Sequence, residues 1–255
     1  MTYSKTVRCD SGEKARYQSL AADRLDFLFT TRVLPCPYLP GNLERKIVAD
    51  LSEDRAEVEY ERMIRAGYRR SGSVAYRHAC PNCCACIPVR LPIATFNPGK
   101  SLRRVARVNL DLIVNILPSR ALDEHYDLFR RYQIERHSGG EMANMSYAEY
   151  RGLIEESSIS TCLAEFRLPG GELAAVCLYD ELTHALSAIY TFFDPTLAKR
   201  SLGSYMIIWL AKTCCMEAKD YLYLGYWISN CAKMSYKARF RPLEKLDRGV
   251  WSPMG

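Results

Sequence analysis

Three strand-length apolar runs stand almost end to end between positions 161 and 193, and they constrain the fold of this chain more than any other feature. The first two, 161–168 and 172–179, are separated only by Pro169-Gly170-Gly171. A spacer that short, made of turn residues, predicts an antiparallel hairpin. The third run, 185–193, extends it into a meander. Then the rhythm changes: residues 202–219 carry apolar side chains at helical spacing, and Tyr221-Leu222-Tyr223-Leu224-Gly225-Tyr226-Trp227 is an aromatic strand. A helix between two strands makes a crossover unit behind the meander.

Upstream, Cys36-Pro37-Tyr38-Leu39-Pro40-Gly41 predicts a loop, because two prolines and a glycine forbid regular structure. Residues 42–66 place Leu43, Ile47, Leu51, Val58 and Ile64 at roughly helical spacing, and Gly67 stops the helix they predict. Residues 68–76 read as a hairpin about Ser71-Gly72. Val108, Leu110, Leu112, Val114 and Ile116 fall on every second position and predict a long strand over 105–117, ended by Pro118. Residues 121–136 predict an amphipathic helix with Leu122, Tyr126, Phe129 and Tyr132 inward. Ser146-Tyr147-Ala148-Glu149 is a capping box that starts a helix over 147–155. A last helix is expected over 231–240, and the first ~30 residues carry weak signs of a strand and turn. The expectation is an α+β chain: a C-terminal mixed sheet with flanking helices over 101–255 and a smaller N-terminal α/β domain over 1–100.

Formal net charge is +6, from 35 Lys+Arg against 29 Asp+Glu, which alone is too mild to argue for nucleic acid. No apolar run is long enough to cross a bilayer, and Met1-Thr2-Tyr3-Ser4-Lys5 holds no signal-peptide core, so a cytoplasmic protein without a membrane partner is expected. Eleven cysteines, an odd number, argue against a disulfide framework. Cys162, Cys177, Cys214 and Cys215 are expected to pack in strands and a helix, and Cys231 opens the last helix. Cys36, Cys80, Cys83 and Cys86 stand apart. Two CxxC spacings overlap in Cys80-Pro81-Asn82-Cys83-Cys84-Ala85-Cys86, and with Cys36 they make a four-sulfur set suited to zinc or an iron–sulfur cluster. Free thiols packing a loop are the alternative.

The junction Arg200-Ser201-Leu202-Gly203-Ser204-Tyr205 puts a turn and a helix N-terminus just after a strand, where backbone amides gather. In order and spacing, this unit resembles the core of the N-acetyltransferase (GNAT) superfamily, which holds the coenzyme A pyrophosphate on Arg/Gln-x-x-Gly-x-Gly/Ala. Arg200 and Gly203 match, but Tyr205 stands where a small residue belongs and would crowd a pyrophosphate.

Further segments resemble another family across nearly the whole chain. They include Pro35-Cys36-Pro37-Tyr38-Leu39-Pro40-Gly41, Arg69-Arg70-Ser71-Gly72, Tyr76-Arg77, and Cys80 through Pro88-Val89-Arg90. Downstream come Tyr132, Arg136-His137, Tyr190-Thr191-Phe192-Phe193-Asp194-Pro195, Ser201-Leu202-Gly203, Tyr223 to Ile228, Cys231, Lys233-Met234, Tyr236-Lys237 and Phe240. These resemble the bacterial aspartate/glutamate leucyltransferases, relatives of the eukaryotic arginyl-tRNA–protein transferases. The resemblance implies a GNAT-like aminoacyltransferase that moves leucine from leucyl-tRNA to proteins with N-terminal Asp or Glu, feeding an N-degron pathway. Eukaryotic members have been linked to iron–sulfur binding through an adjacent cysteine pair, which Cys83-Cys84 imitates.

A leucyl ester is already activated, so the chemistry requires no cofactor. It does require an oriented amine, removal of a proton and donors for the oxyanion. Asp194 is a candidate base or amine anchor, or a cap for the turn at Pro195. Tyr190 and Tyr226 could donate to the ester, or serve as core aromatics. An acidic acceptor needs a cation, and Arg69, Arg70, Arg77, Arg90, Arg136 and His137 are the candidates. Ser201, Gly203 and Lys237 complete the expected binding residues, and Arg103, Arg104 and Arg107 offer spread charge for tRNA. Two other readings stay open: a coenzyme A–dependent N-acetyltransferase, and a non-catalytic thiol-metal module that binds RNA.

Overall fold

The computed structural model describes residues 28–51, 55–137 and 139–255; the reading of positions 1–27 lies outside the described residues. The N-terminal part builds a four-stranded sheet in the order β1-β4-β6-β5, from β1 (Leu28–Thr30), β4 (Lys46–Asp50), β5 (Arg69–Ser71) and β6 (Val74–His78). β2 (Leu34–Pro35) and β3 (Leu43–Glu44) pair across the expected proline loop. Helix α1 (Ala56–Arg65) covers the small sheet, packing Tyr60, Met63 and Ile64 on Ala49 and Ala75. That core also takes in Ala185 and Tyr223 of the larger sheet.

The larger sheet has eight strands in the order β14-β13-β7-β12-β11-β10-β9-β8. They are β7 (Ile87–Pro92), β8 (Ile113–Pro118), β9 (Thr161–Arg167), β10 (Leu173–Glu181), β11 (Ala185–Phe193), β12 (Tyr221–Trp227), β13 (Glu244–Asp247) and β14 (Val250–Pro253). The meander β9-β10-β11 is antiparallel and β11–β12 is parallel. The helices are α2 (Lys100–Val108), α3 (Asp123–His137), α4 (Tyr147–Glu155), α5 (Leu202–Met216) and α6 (Ala232–Ser235). Strand β10 shows why both faces are clothed. Ala175, Cys177 and Tyr179 join Met206, Leu210 and Cys214 of α5, while Val176 and Leu178 join Leu128, Phe129, Tyr150 and Ile154 of α3 and α4. Successive residues of a strand face opposite ways, so a strand buried on both faces reads as one apolar run. Among the described residues no helix is long and apolar enough to cross a membrane.

The mixed sheet, its flanking helices, the hairpin at β5–β6 and the capping box at Ser146 match the sequence expectations. Several details differ. Residues 105–117 are not one strand: α2 ends at Val108, and β8 is an edge strand starting at Ile113. Its alternating residues mislead because Val108, Leu110 and Ile116 are exposed, while Leu102 and Leu112 carry the burial. Residues 42–66 are not one helix. β4 hydrogen-bonds to strands on both sides, β1 and β6, and that pairing overrides a helical pattern. Helix α3 turns His125, Leu128, Phe129 and Gln133 inward; Leu122 lies outside it and is 38% exposed. The expected helix over 231–240 is α6 followed by a 3-10 turn, Tyr236–Arg239. Cys177, Cys214 and Cys231 are buried as packing residues, but Cys215 is exposed.

Candidate functional site

The parallel pair β11–β12 is joined only at Ala185–Tyr221, Leu186–Leu222 and Ser187–Tyr223. Beyond Ser187 the strands part. Each lip of the opening also carries a bulge. Ile189 is the extra residue where β11 slips against β10, and Leu224 is the extra residue where β12 slips against β7. Splayed strands free backbone groups that must find other partners. Arg69, on β5, reaches into the opening and donates through Nη2 to the carbonyls of Ala188 (3.0 Å) and Ile189 (3.1 Å). It passes directly over Gly225, whose φ is +73°, and any Cβ there would collide with the guanidinium. That is why β12 carries a glycine at this position.

The other lip is held by a second cation. Lys237 is 7% exposed, and its Nζ donates to the Tyr226 carbonyl at 2.6 Å, with Met234 Sδ at 3.5 Å. Burial pushes its ammonium down to about 7; the Arg69 guanidinium pushes the same way, and Cys231 opposes. Tyr226 is buried against the rings of Tyr76 and His78, and its hydroxyl faces the carbonyls of Gly67 (3.1 Å) and Tyr76 (3.3 Å). Its phenol is raised well above the ordinary value, burial being the main cause. Burial, Lys46 and Arg69 hold the neighbouring His78 neutral, at about 4.

The end of α3 forms the facing wall. Gln133 Nε2 donates to Tyr190 Oη at 2.6 Å, which leaves the Tyr190 proton for another acceptor. Tyr132 packs on Phe193 (ring centroids 4.9 Å) and on His137 (5.3 Å). The exposed Arg136 lies over the Phe193 ring at 6.0 Å. Gly203, in the first turn of α5, admits that same Phe193 ring, which a Cβ would meet at 3.3 Å. Tyr190, Arg136, His137 and Gly203 are therefore one neighbourhood. Gln133 and the bulge at Ile189 give no sequence signal, whereas Gly225 stands out as a glycine inside an aromatic strand.

Other candidates are engaged elsewhere. Arg70 is fully buried and bidentate to Asp180 (2.6 and 2.8 Å), with further bonds to Gly72 and Thr161. Arg90 bonds Glu244 at 2.7 Å and stacks on Tyr221 and Trp251. Arg77 reaches the Ala66 carbonyl at 3.4 Å. Asp194 accepts from Thr196 N (2.9 Å) and Oγ1 (2.6 Å), and Arg131 lies 3.6 Å from its other oxygen, which is the geometry of a turn cap. Ser201 adopts a left-handed φ of 53° just before α5. Arg200 is clamped by Asp111 (2.8 and 2.9 Å), and Tyr205 packs edge-on against Phe166. That position is a closed junction rather than an open pyrophosphate cradle.

The thiols of Cys36, Cys80, Cys83 and Cys86 are neighbours. Burial chiefly raises the Cys86 thiol, and Cys80, Cys36 and Cys83 add to the rise. Among the described residues, however, no three His, Cys, Asp or Glu side chains converge as a bound metal ion requires.

The chain matches the family described as arginine-tRNA-protein transferase at both ends: the N-terminus over residues 34–104 and the C-terminus over 124–247. It is 49% identical over 228 residues to the aspartate/glutamate leucyltransferase of Paramagnetospirillum magneticum, covering 89% of this chain and 93% of that one. The protein of the same name from Rhodospirillum rubrum is 47% identical, with 90% and 94% covered. Among solved structures, L-PGS from Bacillus licheniformis superposes with a TM-score of 0.45 at 12% identity over 89% of this chain and 78% of that one. FemX does so with 0.43 at 8% identity over 87% and 84%. Likeness at that level decides nothing about chemistry.

Proposed function

The chain belongs to the aspartate/glutamate leucyltransferase family, and from that premise we propose where and how it moves leucine from leucyl-tRNA to the α-amine of proteins that begin with Asp or Glu. The placement rests on one observation: the parallel pairing stops at Ser187 and Tyr223, and the opening beyond is edged by donors. The aminoacyl end enters between α3 and the β11 lip, where Tyr132, Phe193 and Tyr190 offer an apolar lining for a leucine side chain.

The amine nitrogen attacks the ester carbonyl carbon, a tetrahedral oxyanion forms, and the terminal ribose hydroxyl leaves with a proton. Tyr190, whose oxygen already accepts from Gln133, donates a hydrogen bond to the ester carbonyl oxygen, and the proton lost by the amine goes to the departing ribose oxygen. An α-amine has an ordinary pKa near 8, roughly, so a useful fraction is neutral without a strong base. Asp194 sets the turn below Phe193 through its Thr196 and Arg131 contacts. Because the ester is activated, no nucleotide, coenzyme or metal is needed. Exposed Arg103, Arg104 and Arg107 on α2, with Arg136 on α3, carry the tRNA backbone. A donor of that kind places the protein in the cytoplasm.

The test supplies radiolabelled leucyl-tRNA with peptides beginning with Asp, Glu, Arg or Ala. Label is expected on the first two. Label on Arg or Ala peptides alone sinks the acceptor assignment, and label from arginyl-tRNA but not leucyl-tRNA sinks the donor.

A further inference from the structure

The two lips of the opening share an anomaly of charge. Among the described residues the two buried arginines are compensated: Arg70 has Asp180 and Arg90 has Glu244. Arg69 and Lys237 hold only backbone carbonyls and a thioether, and among the described residues no carboxylate pairs with either. Lys237 is buried and Arg69 half-buried; an uncompensated charge so placed is costly, and a second of like sign nearby adds to the cost. A structure that retains both holds a place for an anion.

The donor count says which anion. A guanidinium carries five N–H groups and an ammonium three. Two of the Arg69 donors go to Ala188 and Ile189, and two of the Lys237 donors go to the Tyr226 carbonyl and Met234 Sδ. Nε and Nη1 of Arg69 and the third Lys237 proton make no hydrogen bond among the described residues, and Nη1 packs against Gly225. The seat holds unused cationic donors and no carboxylate among the described residues, so it suits a group that only accepts. A carboxylate does so with two oxygens. A carboxamide offers one oxygen and two N–H groups that would be left unpaired.

We infer that Arg69 and Lys237 together seat the side-chain carboxylate of the acceptor's first residue, and so distinguish Asp and Glu from Asn and Gln. This rests on the acceptor class proposed above. Arg69 comes from the hairpin of the small sheet and Lys237 from the turn after α6, so the seat forms only where the N-terminal and C-terminal parts meet.

The experiment measures binding of fluorescent peptides beginning with Asp or Asn by anisotropy, in the absence of tRNA, and then turnover with leucyl-tRNA. The wild-type protein is expected to prefer the Asp peptide by about 100-fold or more. Lys237→Met should cut that preference at least about tenfold, mainly through the Asp peptide and through KM rather than kcat, and Lys237→Arg should restore most of it. Arg69→Lys should act likewise; if it fails to fold, the Lys237 pair still decides. Equal binding of Asp and Asn peptides to the wild type overturns the inference. So does a Lys237→Met variant that loses kcat equally on both peptides, which would make the cations oxyanion donors or structural supports. Binding preference without leucine transfer would instead fault the donor reading, leaving the seat in place.

Discussion

The two ends of the β11–β12 pair handle buried charge in opposite ways. At the joined end, Arg70 meets Asp180 in a bidentate pair with both side chains almost wholly buried, and Thr161 and Gly72 take further donors. At the parted end, the adjacent residue, Arg69, meets only carbonyls. Neighbours in a strand face opposite sides, so one dipeptide serves both ends. The closed network holds the small sheet to the large one, while the open one has no carboxylate partner among the described residues.

The largest expected effect would break the closed end. Arg70→Ala leaves Asp180 buried and unpaired, which should cost about 3–5 kcal/mol by urea denaturation. The double change Arg70→Met with Asp180→Leu should recover much of that. If Arg70→Ala costs nothing, the closed end is not the structural one.

Next, Gly225→Ala puts a Cβ into the Arg69 guanidinium and strains a positive φ. Displacing Arg69 by about an ångström should lower kcat/KM for leucine transfer about 100-fold. A fold still intact by circular dichroism would show the loss to be local to the open end.

A third measurement uses pH. Lys237 titrates at about 7 when folded against an ordinary value of 10.5. Below pH 7 the ammonium is charged in both states and its burial penalty is fully present. Between pH 7 and 10.5 the unfolded chain binds the extra proton, so this penalty is relieved as pH rises. Lys237→Met should therefore stabilise the protein more at pH 6 than at pH 9, read as the difference in melting temperature. Arg69 and Cys231 are the charged or titratable neighbours that set this value. An equal gain at both pH values would mean that Lys237 is not buried as a cation.

The smallest effect tests a region that belongs to neither end. Ser146→Ala removes the α4 cap, in which Ser146 Oγ accepts from Glu149 N while Glu149 returns to Ser146 N. A loss of about 1 kcal/mol is expected, with leucine transfer unchanged. A large fall in transfer would tie α4 to the site.

Local chemistry wrote much of this fold into the sequence. The meander, the crossover helix, the aromatic strand and the capping box are read from periodicity and turn residues, because each is fixed by neighbours within a few positions. The readings that failed rested on the same periodicity where partners lie far away. Residues 46–50 carry a helical pattern but are claimed by β1 and β6. Residues 105–117 alternate like a strand, yet Val108, Leu110 and Ile116 face solvent and only Leu112 of the alternating set is buried. Ile87–Pro92, with two prolines, gives no strand signal, but it lies between β12 and β13 in the large sheet.

The site divides in the same way. The sequence by itself determined the family, the turn at Gly203, and the residues Arg69, Arg70, Tyr190 and Lys237 as a set from which a site could be built. It could not separate Arg69 from Arg70, since both are arginines in one strand and only distant partners distinguish them. Which carboxylate lies 110 positions away, and which carbonyls a parting of two strands sets free, are settled when the chain closes on itself. Pairing is a property of distances in space, so the tertiary structure alone decided which arginine meets a carboxylate and which meets only carbonyls.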